Sequence, residues 1–365
     1  MEEHGRCQTK QGIRDVEPEV RVHPVRRSIR RYAGAILVSA YLSARRIVGR
    51  YHQGRRARIF PLDDRRHRRS IKMVQRNRIT PAALQDAFDQ IPCEFNEATR
   101  SAVLATVVLK GFFGEEWVDR HVMSKRRKPG FLTMNETSAV TLDMSAYRVM
   151  DLAEVLYNLQ YVSGFDECIE RMRNGDIEGT HAELDFGRML YLHQIAFRYV
   201  VPSGLKGSDY DIDVIYPSGL AVCGDAKCKV EATEFSAKTI DDTLEKARSQ
   251  LPNDRPGIVF VKLPPRWMEI PNFADVCVAV ARDFLRTTKR VVSVKYYTSP
   301  ITFIDGMIKV QHAFKEVSNP ITDFGHFQNW DIFRTNVLSP EWNGMPPWWQ
   351  RIIFYPDGKI TNTRA

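Results

Sequence analysis

The chain of 365 residues lacks the patterns that mark several familiar classes of protein. Its six cysteines form no C-x-x-C pair and no cysteine and histidine cluster with zinc spacing, so neither a structural zinc site nor a disulfide framework is indicated. The sequence also has no glycine-rich phosphate-binding loop, no G-x-S-x-G nucleophile elbow and no internal repeat. From the cysteine pattern we expect a reduced, cytoplasmic setting.

The sequence contains no apolar run long enough to span a bilayer. The apolar stretch near the start, residues 33–44, is far shorter than the roughly 20 residues that a membrane helix needs. Basic residues between Arg26 and Arg31 precede it, as in a signal peptide, although the segment before them is unusually long. We therefore expect no membrane association, with export as the less favoured alternative.

The positive charge of the chain lies in one segment. The formal net charge is +9, yet residues 1–72 hold 17 Arg and 2 Lys against 7 acidic residues, a balance of +12, and the remainder carries −3. Two interpretations stay open for this leader: a disordered basic arm that grips phosphate, or an upstream extension of a protein that begins at Met73.

The length allows about two domains, and the spacing of apolar residues predicts a helical region over residues 73–178. Thr80 and Pro81 supply an N-cap and a proline at the first helical position. Apolar residues at helical spacing predict two more helices, over residues 96–110 and 145–161.

Residues 179–320 read as an α/β domain, followed by an aromatic-rich tail over 321–365. The tail's tryptophans are interpreted as packing onto the domain rather than stacking on bases. In the domain we predict helices over 180–198, 239–251 and 273–285, strands over 199–202, 210–216, 220–229, 257–263 and 291–297, and a final hairpin that turns at Asp305-Gly306.

The most informative segment is residues 207–229, in which alternation assigns side chains to two faces. The even positions are mostly apolar, whereas the odd positions carry Asp211, Asp213, Asp225 and Lys227. A hairpin centred near Gly219 would pair odd with odd positions, with Asp213 opposite Asp225 and Asp211 opposite Lys227. Because two close carboxylates repel unless a cation lies between them, the pattern predicts a metal site.

These residues carry a family resemblance. Asp213, the triplet Asp225-Ala226-Lys227 on the next strand and Glu183 on the preceding helix resemble the PD-(D/E)xK nuclease superfamily, which has the restriction endonuclease-like fold. The resemblance covers about a quarter of the chain and implies a core of helix, three strands, helix and strand, here with added strands. It departs from the family pattern in having no proline before Asp213 and Asp at 225 in place of the commoner Glu.

The resemblance also implies roles for these residues. Asp213, Asp225 and Glu183 would bind Mg²⁺ or Mn²⁺, and Lys227 would orient or activate the attacking water. Apart from the resemblance, Lys246 and Gln250, four residues apart on the following helix, could contact the phosphate backbone or the edge of the site. Asp211 and Lys229 are also expected to support the site or contact DNA.

Some of these residues also fit a purely structural role. Thr180-His-Ala-Glu183 also fits a capping box, in which the glutamate bonds back to the helix start. His121, His181 and His193 show no ligand spacing and are interpreted as surface or core residues. The triplet Asp357-Gly-Lys359 lies in a turn-like setting and is treated as a chance match.

The function expected from the sequence is Mg²⁺-dependent hydrolysis of DNA phosphodiester bonds by an endonuclease-like enzyme, in defence, restriction or repair. RNA as a substrate and the oligomeric state are left open. The alternative is a catalytically inactive nucleic-acid-binding or scaffolding module with the same fold.

Overall fold

The computed structural model describes residues 78–95, 97–123, 131–132, 139–192, 195–204, 207, 209–215, 221–299, 301–304, 307–310 and 313–324. The predictions made for the leader (1–72), for the turns at 217–219 and 305–306, and for the tail beyond residue 324 lie outside the described residues.

Within these ranges the protein is α/β, with eight α-helices, a six-stranded mixed sheet and a separate two-stranded hairpin. The helices are α1 (Pro81–Asp89), α2 (Glu97–Phe113), α3 (Glu115–His121), α4 (Ala139–Leu159), α5 (Phe165–Arg173), α6 (Ile177–Leu192), α7 (Ala237–Gln250) and α8 (Phe273–Leu285). The strands are β1 (Ala196–Tyr199), β2 (Ile212–Ile215), β3 (Ala221–Cys228), β4 (Gly257–Lys262), β5 (Val291–Thr298), β6 (Ile301–Ile304), β7 (Met307–Val310) and β8 (Ala313–Ser318). No helix in these ranges is both long and apolar enough to cross a membrane.

The helices α1–α5 precede the sheet. The predicted start of α1 is confirmed, since the side chain of Thr80 accepts a hydrogen bond from the backbone N–H of Ala83 at 3.2 Å and Pro81 follows it. Helix α5, which the apolar pattern did not reveal, has acidic residues in its first turn and Arg171 and Arg173 in its last, as the helix dipole favours. This helix later supplies a residue of the site.

The sheet has the order β1-β2-β3-β4-β5-β8. Strands β1 to β3 form an antiparallel meander, β3, β4 and β5 run parallel, and β8 closes the far edge antiparallel to β5. Alternate residues of β4 face two different cores: Phe260 packs on the side of α6, and Val259 and Val261 pack on the side of α7 and α8. Helices thus cover both faces, which explains the uninterrupted apolar run of β4.

The boundary between the helix predicted over 180–198 and the strand that follows it differs from the sequence prediction. The helix predicted over 180–198 begins earlier, at Ile177, and ends at Leu192, and the strand expected at 199–202 lies instead at Ala196–Tyr199. Phe197 and Tyr199 alternate inward with exposed Arg198 between them, which is the period of a strand. Phe197 also falls at helical spacing from Phe186 and Leu190, so the apolar periodicity alone predicted a helix that runs past its real end at Leu192.

A glycine allows α6 to lie close to β3. A Cβ atom added to Gly224 would lie 2.5 Å from Cε1 of Phe186, whose ring stacks on Phe260 with centroids 5.0 Å apart. Glu183 stands one turn before Phe186 on α6, so this close contact brings its carboxylate toward the end of β3. The same hydrophobic cluster continues from Leu84 of α1 to the sheet, so the helical region and the sheet share a core.

We predict that Gly224→Ala lowers the free energy of unfolding by about 1–3 kcal/mol, because the added methyl group meets the Phe186 ring. Urea denaturation measures the change. In a Phe186→Leu background the same substitution should cost less, since the two sites are in contact. Equal stability of Gly224→Ala and the parent would show that the ring does not press on this strand.

Candidate active site

Acidic and basic side chains from α6, β2 and β3 meet at one end of the sheet. A groove of about 710 Å³ is lined by Glu183 of α6, by Asp211 just before β2, and by Lys227 near the end of β3. Asp225 lies immediately behind Lys227, whose Nζ is 2.5 Å from its Oδ2 atom. The structure thus brings together three of the four predicted catalytic residues, and Asp211 joins them.

The predicted strand register is wrong by two residues. Strands β2 and β3 pair Ile212 with Gly224 and Asp213 with Cys223, so Asp213 does not lie opposite Asp225. The backbone N–H of Asp211 donates to the carbonyl of Gly224 at 3.0 Å, and its Oδ2 accepts from the N–H of Ala226 at 2.7 Å. Both registers pair odd with odd positions, so the face pattern could not separate them.

Asp213 has a different environment. Its Oδ2 accepts from Nε of Arg198 at 2.9 Å, and its Oδ1 accepts from Tyr210 and Arg255, each at 2.9 Å. Burial alone would raise the pKa of Asp213, but these hydrogen bonds outweigh it and hold the pKa below its usual value. Both oxygens are occupied, and Asp213 acts as a buried counter-ion for two arginines.

The carboxylate of Asp225 is fully buried, with 0% exposure. Apart from the ion pair with Lys227, neither of its oxygens accepts a hydrogen bond from the part of the chain that the structure describes. Burial, and then the nearby charge of Asp211, raise the pKa of Asp225 well above its usual value. A buried carboxylate with so few donors fits a bound cation, because burying an ionised group without partners is costly.

Glu183 belongs to the same group, and the capping-box alternative for it is wrong. Helix α6 begins at Ile177, so Thr180 and Glu183 both lie inside the helix. Both terminal nitrogens of Arg171 donate to the Glu183 carboxylate, Nη1 to Oε1 at 2.6 Å and Nη2 to Oε2. Burial and the charge of Asp211 nevertheless raise the pKa of Glu183 well above its usual value.

The residues predicted to support the site are divided between two pockets. Lys246 and Gln250 of α7 line the groove beside Lys227, as expected from their spacing on one helix face. Lys229 lines a smaller neighbouring pocket together with Lys262. Burial and the charge of Lys246 lower the pKa of Lys229, so this end of the sheet presents a cluster of cations.

A second polar cluster was not anticipated from the sequence. Asp151 of α4 and His181 and Asp185 of α6 place their ligand atoms within 4.8 Å of one another, and such a group could hold a metal ion. The interpretation of His181 as an isolated surface or core residue missed this group. The signal was present, because His181 and Asp185 are four residues apart and therefore share a helix face.

The charges of this second cluster are already balanced. Arg188 donates to both Asp151 and Asp185, and Lys262 pairs with Asp185. Nζ of Lys262 also lies 3.1 Å from Nδ1 of His181, which must accept because an ammonium group only donates. Nε2 of His181 lies 3.2 Å from Oδ2 of Asp151. Arg188 and Lys262 thus supply two positive charges to the two carboxylates of this cluster.

No protein-family model, curated protein or solved structure matches this chain. Any function assigned to it therefore depends on the residues of the groove.

We predict that Asp213→Asn lowers the free energy of unfolding at pH 7 by about 2 kcal/mol, because it leaves two arginines without their counter-ion. The folded pKa of Asp213 lies below the usual 3.8, so its contribution is present above that pH and is lost as the pH falls below it. Urea denaturation across this range should show the two proteins converging in acid. Asp241→Asn, on the exposed face of α7, is the matched control, and a constant difference at all pH values would contradict the assignment.

Proposed function

We propose that this chain is a metal-dependent nuclease of the PD-(D/E)xK kind that hydrolyses phosphodiester bonds in DNA. The observation that carries the proposal is the convergence of Asp211, Asp225, Lys227 and Glu183 on one groove. Asp211 takes the place that the sequence pattern had given to Asp213. The triplet Asp225-Ala226-Lys227 keeps its predicted place on the strand that follows.

The order of elements supports the proposal. From α6 to β4 the chain runs helix, three strands, helix and strand, which is the core that the resemblance implies. The assignment of this core to the restriction endonuclease-like fold is part of the proposal. Strands β5 and β8 would then be additions at the edge of the sheet.

Asp211 and Asp225 would hold the metal, Mg²⁺ or Mn²⁺. Glu183 would approach as a third oxygen ligand, because in this structure the three carboxylates do not all lie within 4.8 Å of one another. All three are carboxylates, the hard oxygen donors that these ions prefer, and the buried oxygens of Asp225 have few other partners. The ion would supply charge neutralisation at the phosphate and lower the pKa of water. The contribution of the protein is to hold these carboxylates on α6, just before β2 and on β3.

Lys227 would face the reacting phosphate. Its side chain is 15% exposed and lies between the buried Asp225 carboxylate and the open groove. An ammonium group in this position can orient the attacking water and stabilise negative charge that develops on the phosphate. The ion pair with Asp225 limits the number of positions that Nζ can adopt.

Lys246 and Gln250 would bind the substrate backbone. Both line the groove from α7, on the side opposite to Glu178 and Glu183 of α6. Phosphate contacts of this kind position a nucleic acid without reading its sequence. They support DNA as the partner, and they leave RNA open.

The alternative function is a nucleic-acid-binding or scaffolding module that does not cut. It is favoured by the pairing of Glu183 with Arg171, which neutralises one of the three carboxylates. Cleavage assays with Mg²⁺ on plasmid, linear and single-stranded DNA would separate the two functions.

A cytoplasmic location is also part of the proposal, in agreement with the free state of the five cysteines in the described ranges.

We predict that Asp211→Asn and Asp213→Asn differ in their effect on Mg²⁺ binding. Asp211→Asn should abolish Mg²⁺ binding and reduce cleavage by more than about 100-fold, since it removes a direct ligand. Asp213→Asn should bind Mg²⁺ as the parent does, because Asp213 faces arginines. Calorimetric Mg²⁺ titration and plasmid cleavage measure both effects.

Lys227→Met extends this test to the lysine. It should keep metal binding and lose cleavage, because Lys227 acts on the phosphate and the water. If Asp213→Asn loses metal binding while Asp211→Asn retains it, the assignment of the acid is wrong. Parent-level cleavage by Asp211→Asn, Asp225→Asn and Lys227→Met together would remove the nuclease proposal.

A further inference from the structure

Arg171 reaches the groove from α5, a helix that precedes the sheet in the chain. It lies in the last turn of α5, and its guanidinium donates to both oxygens of Glu183 on α6. The Arg171 side chain is 22% exposed and lines the groove, whereas the Glu183 side chain is 6% exposed. Arg171 is therefore placed between solvent and a buried carboxylate of the site.

The geometry is that of a strong ion pair. Two parallel N–H to oxygen bonds between an arginine and a carboxylate are directional and are worth more than a single point contact. The low exposure of Glu183 further strengthens the interaction, because water competes less for it. A third bond, from Nη2 to Sγ of Cys168 at 3.5 Å, helps to fix the guanidinium.

The charges of the groove indicate what this pair does. Five carboxylates line the groove or lie directly behind it, on Asp176, Glu178, Glu183, Asp211 and Asp225, and they face three cations, on Arg171, Lys227 and Lys246. A divalent cation bound by Glu183, Asp211 and Asp225 would add two positive charges to this group. The like charges of Arg171 and the metal would then repel each other across Glu183, so both cannot hold its oxygens at full strength.

We propose that Arg171 is an internal competitor of the metal: it holds Glu183 in the metal-free protein and releases it when a divalent cation enters. This inference rests on the proposed function, and it concerns the regulation of the same site. Arg171 then sets the metal affinity, and the helical region that carries it controls whether the site is loaded. Once released, the guanidinium is in the groove, where a phosphate oxygen of the substrate is its natural partner.

The test is calorimetric titration of the full chain with Mn²⁺ at pH 8. Arg171→Met should bind Mn²⁺ about tenfold more tightly than the parent, because the metal no longer displaces a guanidinium held by charge-assisted hydrogen bonds. Arg173→Met is the matched control: it lies two residues away on α5, its contacts are Glu170 and the carbonyl of Phe112, and it should leave Mn²⁺ affinity unchanged.

A double substitution tests whether Arg171 acts through Glu183. In a Glu183→Gln background Mn²⁺ should bind more weakly than in the parent, and Arg171→Met should then have no further effect. Thermal unfolding gives a second readout. In EDTA, Arg171→Met should melt below the parent, and saturating Mn²⁺ should raise its melting temperature by more than it raises that of the parent.

The outcomes separate this inference from the proposed function. If the parent binds Mn²⁺ and folded Arg171→Met binds it equally or more weakly, Arg171 is not a competitor and the inference fails alone. If the parent binds no Mn²⁺, the proposed function fails and the inference fails with it. Should Arg171→Met not fold, Arg171→Lys, which loses the two-pronged contact and keeps the charge, should still bind Mn²⁺ several-fold more tightly; unchanged affinity in that variant overturns the inference.

Discussion

The arrangement of the candidate site depends on one constraint: the carboxylate of Asp225, on the inner strand β3, is buried with Lys227 as its close partner. An ionised group in such a place costs several kcal/mol unless charge or hydrogen bonds compensate it. Burial raises the pKa values of both aspartates, and the negative charge of Asp211 raises that of Asp225 further. Two carboxylates and a lysine held together in this way favour the binding of a cation. Enzymes that act on phosphate esters use the same combination of a metal-binding acid pair and a lysine.

Packing holds these charges in place. The absence of a side chain at Gly224 lets the Phe186 ring lie against β3, which carries α6 and its Glu183 to the end of the strand. Helices before the sheet share the same hydrophobic core, so α5 can present Arg171 to the groove. The helical region and the sheet therefore build the candidate site together, and the electrostatics of the groove includes a cation from outside the strands.

Much of the site could be predicted because strand alternation is a strong constraint. It placed Asp211, Asp213, Asp225 and Lys227 at odd positions, and the helix after β3 was recognised with Lys246 and Gln250 on one face. Alternation could not choose between registers that differ by two residues, and the assumed hairpin centre near Gly219 put Asp213 in place of Asp211 opposite Asp225. Arg171, Arg198 and Arg255 were not predicted, since their partners are distant in sequence or on another strand and no local pattern records such contacts.

The central claim is that a divalent cation binds between Asp211 and Asp225. The measurement that tests it most directly is a crystal structure of the protein soaked in Mn²⁺, with anomalous scattering recorded to locate the ion. The account predicts one strong anomalous peak within about 2.0–2.6 Å of carboxylate oxygens of Asp211 and Asp225. A peak at Asp151, His181 and Asp185 with none at Asp211 and Asp225, or ordered carboxylates with no peak at all, would contradict it.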